Sequence, residues 1–256
     1  MLGITLGLVL LAAGGELRVG MDTRSRPWAF LPGLDYSAED FAKPPRISAA
    51  QIEKLAGVEV EILAALAQRL GMATSIVPVA WEDIEQGLID NRYDVIMNAW
   101  VPSSKTPKPI VASSPYYEWG LVVVVRADDA GLRSFADLAG KTVGHFRDPA
   151  VDRSVISLRA GRLVPFDDSD QLFEALAQGK LDAAVEDSTY ARWRVAQDDS
   201  FRVVGEPLNR LGYHLGLRRS DTEMLVRVEA AIKDLRASPQ LAAIRKRWEA
   251  PRAGVR

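Results

Sequence analysis

The sequence predicts an α/β protein built as two lobes. Three observations carry this: a β-α-β-α-β alternation between Leu17 and Met97, a second alternation of the same kind after Tyr117, and a returning strand at Leu211 to Leu217 ahead of two closing helices. Strands that alternate with helices indicate a sheet covered by helices. Two such runs of similar size call for two lobes.

In the first run, Leu17-Arg18-Val19-Gly20-Met21 alternates as a short strand does. Val58, Ile62, Leu63, Leu66 and Leu70 fall at helical spacing, and Gly71 stops that helix. Ser75 to Val79 reads as a strand, Trp81 to Leu88 as a short helix and Asp94 to Met97 as a strand. The second run opens on a buried strand, Leu121 to Arg126, and a helical turn at Ser134 to Leu138, where Ser134 caps and Asp137 follows three residues later. Strands are expected at Lys141 to His145, Leu163 to Pro165 and Leu181 to Val185, with helices at Ser169 to Gln178 and Ser188 to Gln197. Asp221 to Leu235 and Ser238 to Trp248 read as amphipathic helices, each opening on a good N-cap residue.

A chain of 256 residues that is 48% hydrophobic can fill two modest cores or one large one. The formal charge of −2, without a basic block, argues against nucleic acid as a partner. The absence of cysteine excludes disulfides, thiolate metal sites, a cysteine nucleophile and an acylated lipid anchor. With His145 and His214 the only histidines, no zinc site and no cofactor are expected. Residues 1–15 are expected to be a secretory signal, because Leu2 to Ala13 is apolar and ends in small residues. That run is shorter than the roughly 20 residues a membrane span needs. A free periplasmic protein is therefore expected.

Three stretches carry a resemblance: Tyr93-Asp94-Val95-Ile96-Met97; Ser113-Ser114-Pro115-Tyr116-Tyr117 followed by Leu121 to Arg126; and Gly179-Lys180-Leu181-Asp182-Ala183-Ala184-Val185-Glu186-Asp187. In this order the chain resembles extracellular solute-binding protein family 3, the substrate-binding proteins of bacterial amino-acid-type ABC importers. The resemblance runs from Leu17 to Trp248. It implies the type II periplasmic-binding-protein fold, with two mixed sheets joined by a two-strand hinge and an interlobe cleft. Lobe 1 would comprise 16–118 plus 216–256, and lobe 2 would comprise 119–215. It further implies a monomer that clamps a small polar solute, such as an amino acid or amine, and delivers it to a membrane permease without catalysing a reaction. Related scaffolds leave alternatives: a periplasmic partner of a quinoprotein dehydrogenase, a sensor domain feeding a kinase, or a dehydratase-like enzyme using Asp187, Glu186 or His145 as acid or base.

The site residues follow from the same resemblance. Asp187 ends an Asp-Ala-x-x-x-Asp spacing, and in amino-acid binders that acid holds the ligand ammonium; it also reads as the cap of the helix from Ser188. Trp81 stands where the family places an aromatic facing the ligand, worth roughly 0.5–2 kcal/mol over an ammonium. Trp28 matches an aromatic that is usually structural, while Asn98 and Trp100 follow a strand end, where open α/β sheets bind ligands. The family's Thr-x-x-Arg, whose arginine grips a carboxylate, falls on Ser103 and Thr106, so the guanidinium is missing. Lys105, Lys108 and Arg147 are the candidate replacements, and the Gly-Thr pair of the second lobe falls on Asp148-Pro149. Finally, 31–56, with Pro32, Pro44 and Pro45, replaces a short family loop. It reads as a solvated insertion with one helix from Ser48 to Leu55, a wall at the cleft mouth being the functional alternative.

Overall fold

The structure is a computed structural model that describes residues 15–34, 36, 38–41, 43, 45–147 and 149–249. Residues 1–14 of the signal-like segment, and Asp148, lie outside the described residues. The chain divides into two compact units, the first ending at Tyr117 and resuming over Gly212–Arg247, the second covering Glu118–Leu211 and resuming at Trp248.

The first unit opens on β1 (Glu16–Met21). The segment that follows carries two short helices, α1 (Ala38–Phe41) and α2 (Ala49–Ile52). The second is shorter than the sequence predicts, although Gln51 accepts from both the amide and the hydroxyl of Ser48 at its start. Then come α3 (Val58–Leu70), β2 (Ala73–Pro78), α4 (Ile84–Ile89), β3 (Val95–Ile96) and β4 (Ile110–Trp119). Gly71 ends α3 with φ of 62°, the left-handed cap that glycine adopts without a steric penalty. The expected helix from Trp81 is instead one 3-10 turn, Trp81–Asp83, running into α4.

The second unit contains β5 (Leu121–Arg126), a 3-10 turn at Phe135–Leu138, β6 (Thr142–Phe146), α5 (Pro149–Val155), β7 (Arg162–Phe166) and α6 (Ser169–Ala177). It continues through β8 (Ala183–Asp187), α7 (Ser188–Val195) and β9 (Phe201–Val204). β10 (Leu211–Arg218) returns the chain to the first unit, followed by α8 (Thr222–Ala237) and α9 (Pro239–Glu249).

Each unit is built on a five-stranded mixed sheet, ordered β2-β1-β3-β10-β4 in the first and β7-β6-β8-β5-β9 in the second. The pattern is shared: three parallel strands, then a strand of the opposite sense (β10 against β3, β5 against β8). Leu121, Val122, Val123, Val124 and Val125 are fully buried in β5, which explains its unbroken apolar run. Two strands escaped the sequence reading, β4 and β9. Both are edge strands, and β4 carries Pro115, which lacks the N–H that an interior strand must donate and is tolerated at an edge.

A charged network pins the first sheet. Asp94 Oδ1 lies 2.8 Å from Arg18 Nη2 and 3.1 Å from Arg218 Nη2, and Asp94 Oδ2 accepts from the Arg18 amide at 3.0 Å. Burial pushes this carboxyl up, but the hydrogen bonds from Arg18, its amide and Arg218 outweigh burial and hold it below the usual 3.8. A depressed folded-state pKa adds stability that is present above the unfolded value and lost as pH falls through the folded one. Asp94→Asn should therefore be less stable than the wild type at neutral pH, with the gap closing below about pH 4. Urea unfolding across a pH series measures this; a gap that persists unchanged at pH 2 contradicts it.

Candidate functional site

Parallel strands bring their carboxyl ends to one edge of a sheet, where open α/β sheets bind ligands. In the first unit, β1 pairs with β3 through Gly20↔Ile96 and with β2 through Met21↔Pro78. Continuing that register places Asp22, Val79 and Asn98 level with one another. The Asp22 amide donates to Asn98 Oδ1 at 2.8 Å, which ties the ends of β1 and β3 together. Both residues are buried, at 1% and 4% exposed. Trp81 lies two residues past Val79 and is 44% exposed. A large apolar side chain left open at a strand-end edge is available to a ligand.

Ala99 follows Asn98 with φ of 50°, a left-handed conformation that L residues adopt rarely. Its amide donates to Glu59 Oε1 at 2.6 Å, and the same oxygen accepts from the Tyr116 hydroxyl. Glu59 is fully buried on the first turn of α3. Burial, with the Glu59 carboxylate beside it, raises the Tyr116 phenol well above its usual range. Neither role was read from the sequence.

Trp100 is closed off. It is 2% exposed and packs in a core cluster with Val79, Ile84, Leu88, Tyr93, Ile96 and Ile110, and its indole Nε1 donates to Glu85 Oε1 at 3.0 Å. Its place after a strand end is filled by core packing, not by an open ring. Trp28 is half-buried and meets Tyr213 edge-on at 6.3 Å. Its carbonyl accepts from the Glu59 amide at 3.1 Å, and an added Cβ on Gly57 would lie 1.9 Å from that carbonyl oxygen, so glycine lets α3 start against this residue. Ser103 and Thr106 close a turn on themselves: Thr106 Oγ1 accepts from the Ser103 amide at 2.9 Å, and Ser103 Oγ accepts from the Lys105 amide at 3.1 Å. Lys105 and Lys108 are exposed in the same loop.

In the second unit β6 pairs in parallel with β8 up to His145↔Val185, so Arg147 and Asp187 stand level two residues further on. Asp187 is 8% exposed. It caps α7, accepting from the Thr189 amide at 2.6 Å. The Thr189 hydroxyl, wholly buried beside it, has no hydrogen-bond partner among the described residues. The preceding Glu186, 2% exposed, accepts from Ser169 Oγ at 2.7 Å and from the Asp187 amide at 2.8 Å. Arg147 is 54% exposed, and its Nε lies 2.6 Å from Asp167 Oδ1, beyond the end of β7. The guanidinium thus stands on the same edge as Asp187 but already has a carboxylate partner.

The sequence profile of the Bacterial extracellular solute-binding proteins, family 3, matches residues 38–251. The chain belongs to this family. It is 29% identical over 198 residues to the L-cystine-binding protein TcyJ of Escherichia coli (strain K12), covering 76% of this chain and 74% of the relative. The L-cystine-binding protein TcyA of Bacillus subtilis (strain 168) is 24% identical over 199 residues, covering 77% and 73%. Among solved structures, an Ancestral Cationic Amino Acid Solute Binding Protein superimposes with a TM-score of 0.73 at 22% identity, covering 91% of this chain and 95% of that one. The fold is therefore that of the two-lobed solute-binding proteins, with one mixed sheet in each unit. Within this family-3 framework, the residues that stand at strand ends are Asp22, Trp81 and Asn98 in one unit and Arg147 and Asp187 in the other.

Among the described residues no cluster of three or more His, Asp or Glu side chains is arranged to hold a metal. No described helix is long and apolar enough to cross a membrane.

Proposed function

We propose that this protein is the solute-binding component of an ABC importer, working outside the cytoplasm as a monomer that presents its ligand to a membrane permease. The ligand class is an α-amino acid or a close amine-bearing relative, L-cystine and the cationic amino acids among them. One observation carries the reading: a buried carboxylate, Asp187, ends β8 at a strand-end edge, in a chain whose family profile spans 38–251. A buried carboxylate is sustained by partners that compensate its lost hydration. The Thr189 amide supplies one at 2.6 Å, and a ligand ammonium would supply a charged one. In this reading the exposed indole of Trp81, at the strand-end edge of the first unit, is a surface offered to the ligand.

The same geometry favours holding over chemistry. Glu186 is engaged by Ser169 and by the Asp187 amide. His145 is 5% exposed, with Nδ1 3.1 Å from the Phe146 carbonyl and 3.4 Å from Asp152 Oδ1.

A thermal-shift screen of amino acids, polyamines and small carboxylates tests the proposal. A ligand present at 100 times its Kd adds about 2.7 kcal/mol, which in a chain of this size should raise the melting temperature by roughly 5–10 °C. Stabilisation by at least one α-amino acid is expected. Stabilisation confined to carboxylates lacking an amine would overturn the proposal.

A further inference from the structure

The first sheet has its topological switch point between β1 and β3. In the order β2-β1-β3-β10-β4, the chain leaves β1 to one side to form β2 and crosses back to the other side to form β3. Ligands of open α/β sheets sit outside the carboxyl ends of the strands at such a point. Asp22 follows the end of β1 directly, and its amide bond to Asn98 Oδ1 ties it to the chain leaving β3. A carboxylate thus stands where the unit is best placed to attract a ligand cation.

That carboxylate is already occupied from within the chain. Arg24, 5% exposed, forks onto it, with Nε 2.8 Å from Oδ1 and Nη2 2.6 Å from Oδ2. The Arg24 amide adds a further bond to Oδ1 at 3.1 Å. The third guanidinium nitrogen, Nη1, donates to the Lys43 carbonyl at 2.7 Å and to that of Asp40. Every nitrogen of the guanidinium is therefore engaged, and Arg24 is no open grip for a ligand carboxylate. Asp22, 1% exposed, is in turn no open acceptor for a ligand cation. A pair buried this deeply persists because each charge compensates the lost hydration of the other. Beyond Trp81 the chain carries Glu82 and Asp83, but both are exposed, where water weakens their pull on a cation.

We propose that Arg24 is a specificity-determining residue. It supplies Asp22 with a cation from within the chain, closes that carboxylate to the ligand and neutralises the buried charge at the switch point. A lysine-like or arginine-like arm that reaches this edge gives up hydration and meets no open buried counter-charge, whereas an uncharged arm loses much less. The inference rests on the amino-acid reading above and narrows it to ligands with uncharged arms.

The test is calorimetry with two pairs of probes that match in length and differ in charge, L-arginine against L-citrulline and L-lysine against L-norleucine. In the wild type the uncharged member of each pair should bind more tightly, by about tenfold. Arg24→Ala opens the Asp22 carboxylate, and the ratio should move by about tenfold or more toward the cationic member; Arg24→Gln carries the same comparison should Arg24→Ala not fold. Arg24→Lys retains a counter-ion and should retain the wild-type preference. Asp22→Asn/Arg24→Ala, which removes both charges, should retain it too. A wild type that prefers the cationic member of either pair would overturn this inference and leave the amino-acid reading standing. So would a ratio unmoved by alanine or glutamine at position 24, or one moved equally in Asp22→Asn/Arg24→Ala. A wild type that binds neither these probes nor any amino acid of the thermal-shift screen would overturn both.

Discussion

Glu59→Ala should destabilise the protein by about 3–5 kcal/mol, the largest loss expected from a single truncation outside the ligand edge. Glu59 is fully buried, and one of its oxygens accepts from both the Ala99 amide, at 2.6 Å, and the Tyr116 hydroxyl. Removing the carboxylate leaves two buried donors unsatisfied, at about 1–3 kcal/mol each, and opens a cavity. Ala99 is then left at a φ of 50°, which carries a penalty of roughly 1–2 kcal/mol for an L residue, without the bond that held it there. Glu59→Gln keeps an acceptor oxygen and should lose much less. Ala99→Gly in the Glu59→Ala background should recover part of the loss, because glycine occupies that conformation freely. Urea denaturation of the four proteins measures all of this. A loss below about 1 kcal/mol for Glu59→Ala would show that the carboxylate does not hold the end of β3.

The elements most legible in the sequence are those with enough residues to show a pattern: the apolar run of β5 and the glycine-stopped helices α3 and α6. The edge strands did not show themselves: β4 contains Pro115, and β9 has only four residues. Asp187 was legible as a cap, because an acid before a helix has one common structural use, and the structure finds it accepting from the Thr189 amide. The inward turn of Trp100 was not legible, because position after a strand end says nothing of which way the ring turns, and here the ring joins the core. Asp22, Arg24 and Glu59 escaped notice because charged residues in a loop or on a helix read as solvated by default. Besides the Asp22–Arg24 pair itself, their partners lie 16 or more positions away in the chain, such as the carbonyls of Asp40 and Lys43 and the Ala99 amide, which no local pattern encodes.

Asp187→Asn should weaken ligand binding at least thirtyfold while leaving the fold nearly untouched. Asparagine caps a helix about as well as aspartate, so the bond from the Thr189 amide survives and the melting temperature should stay within about 2 °C. What the change removes is a buried negative charge. Losing one partner of a buried charged hydrogen bond costs about 2–5 kcal/mol of binding, and each 1.4 kcal/mol is tenfold in Kd. The decisive measurement is calorimetric titration of the wild type and Asp187→Asn with whichever α-amino acid stabilises the wild type most. The account predicts one site per chain in the wild type and a Kd at least thirtyfold weaker in the variant. Equal affinity in the two proteins would contradict it and remove Asp187 from the site.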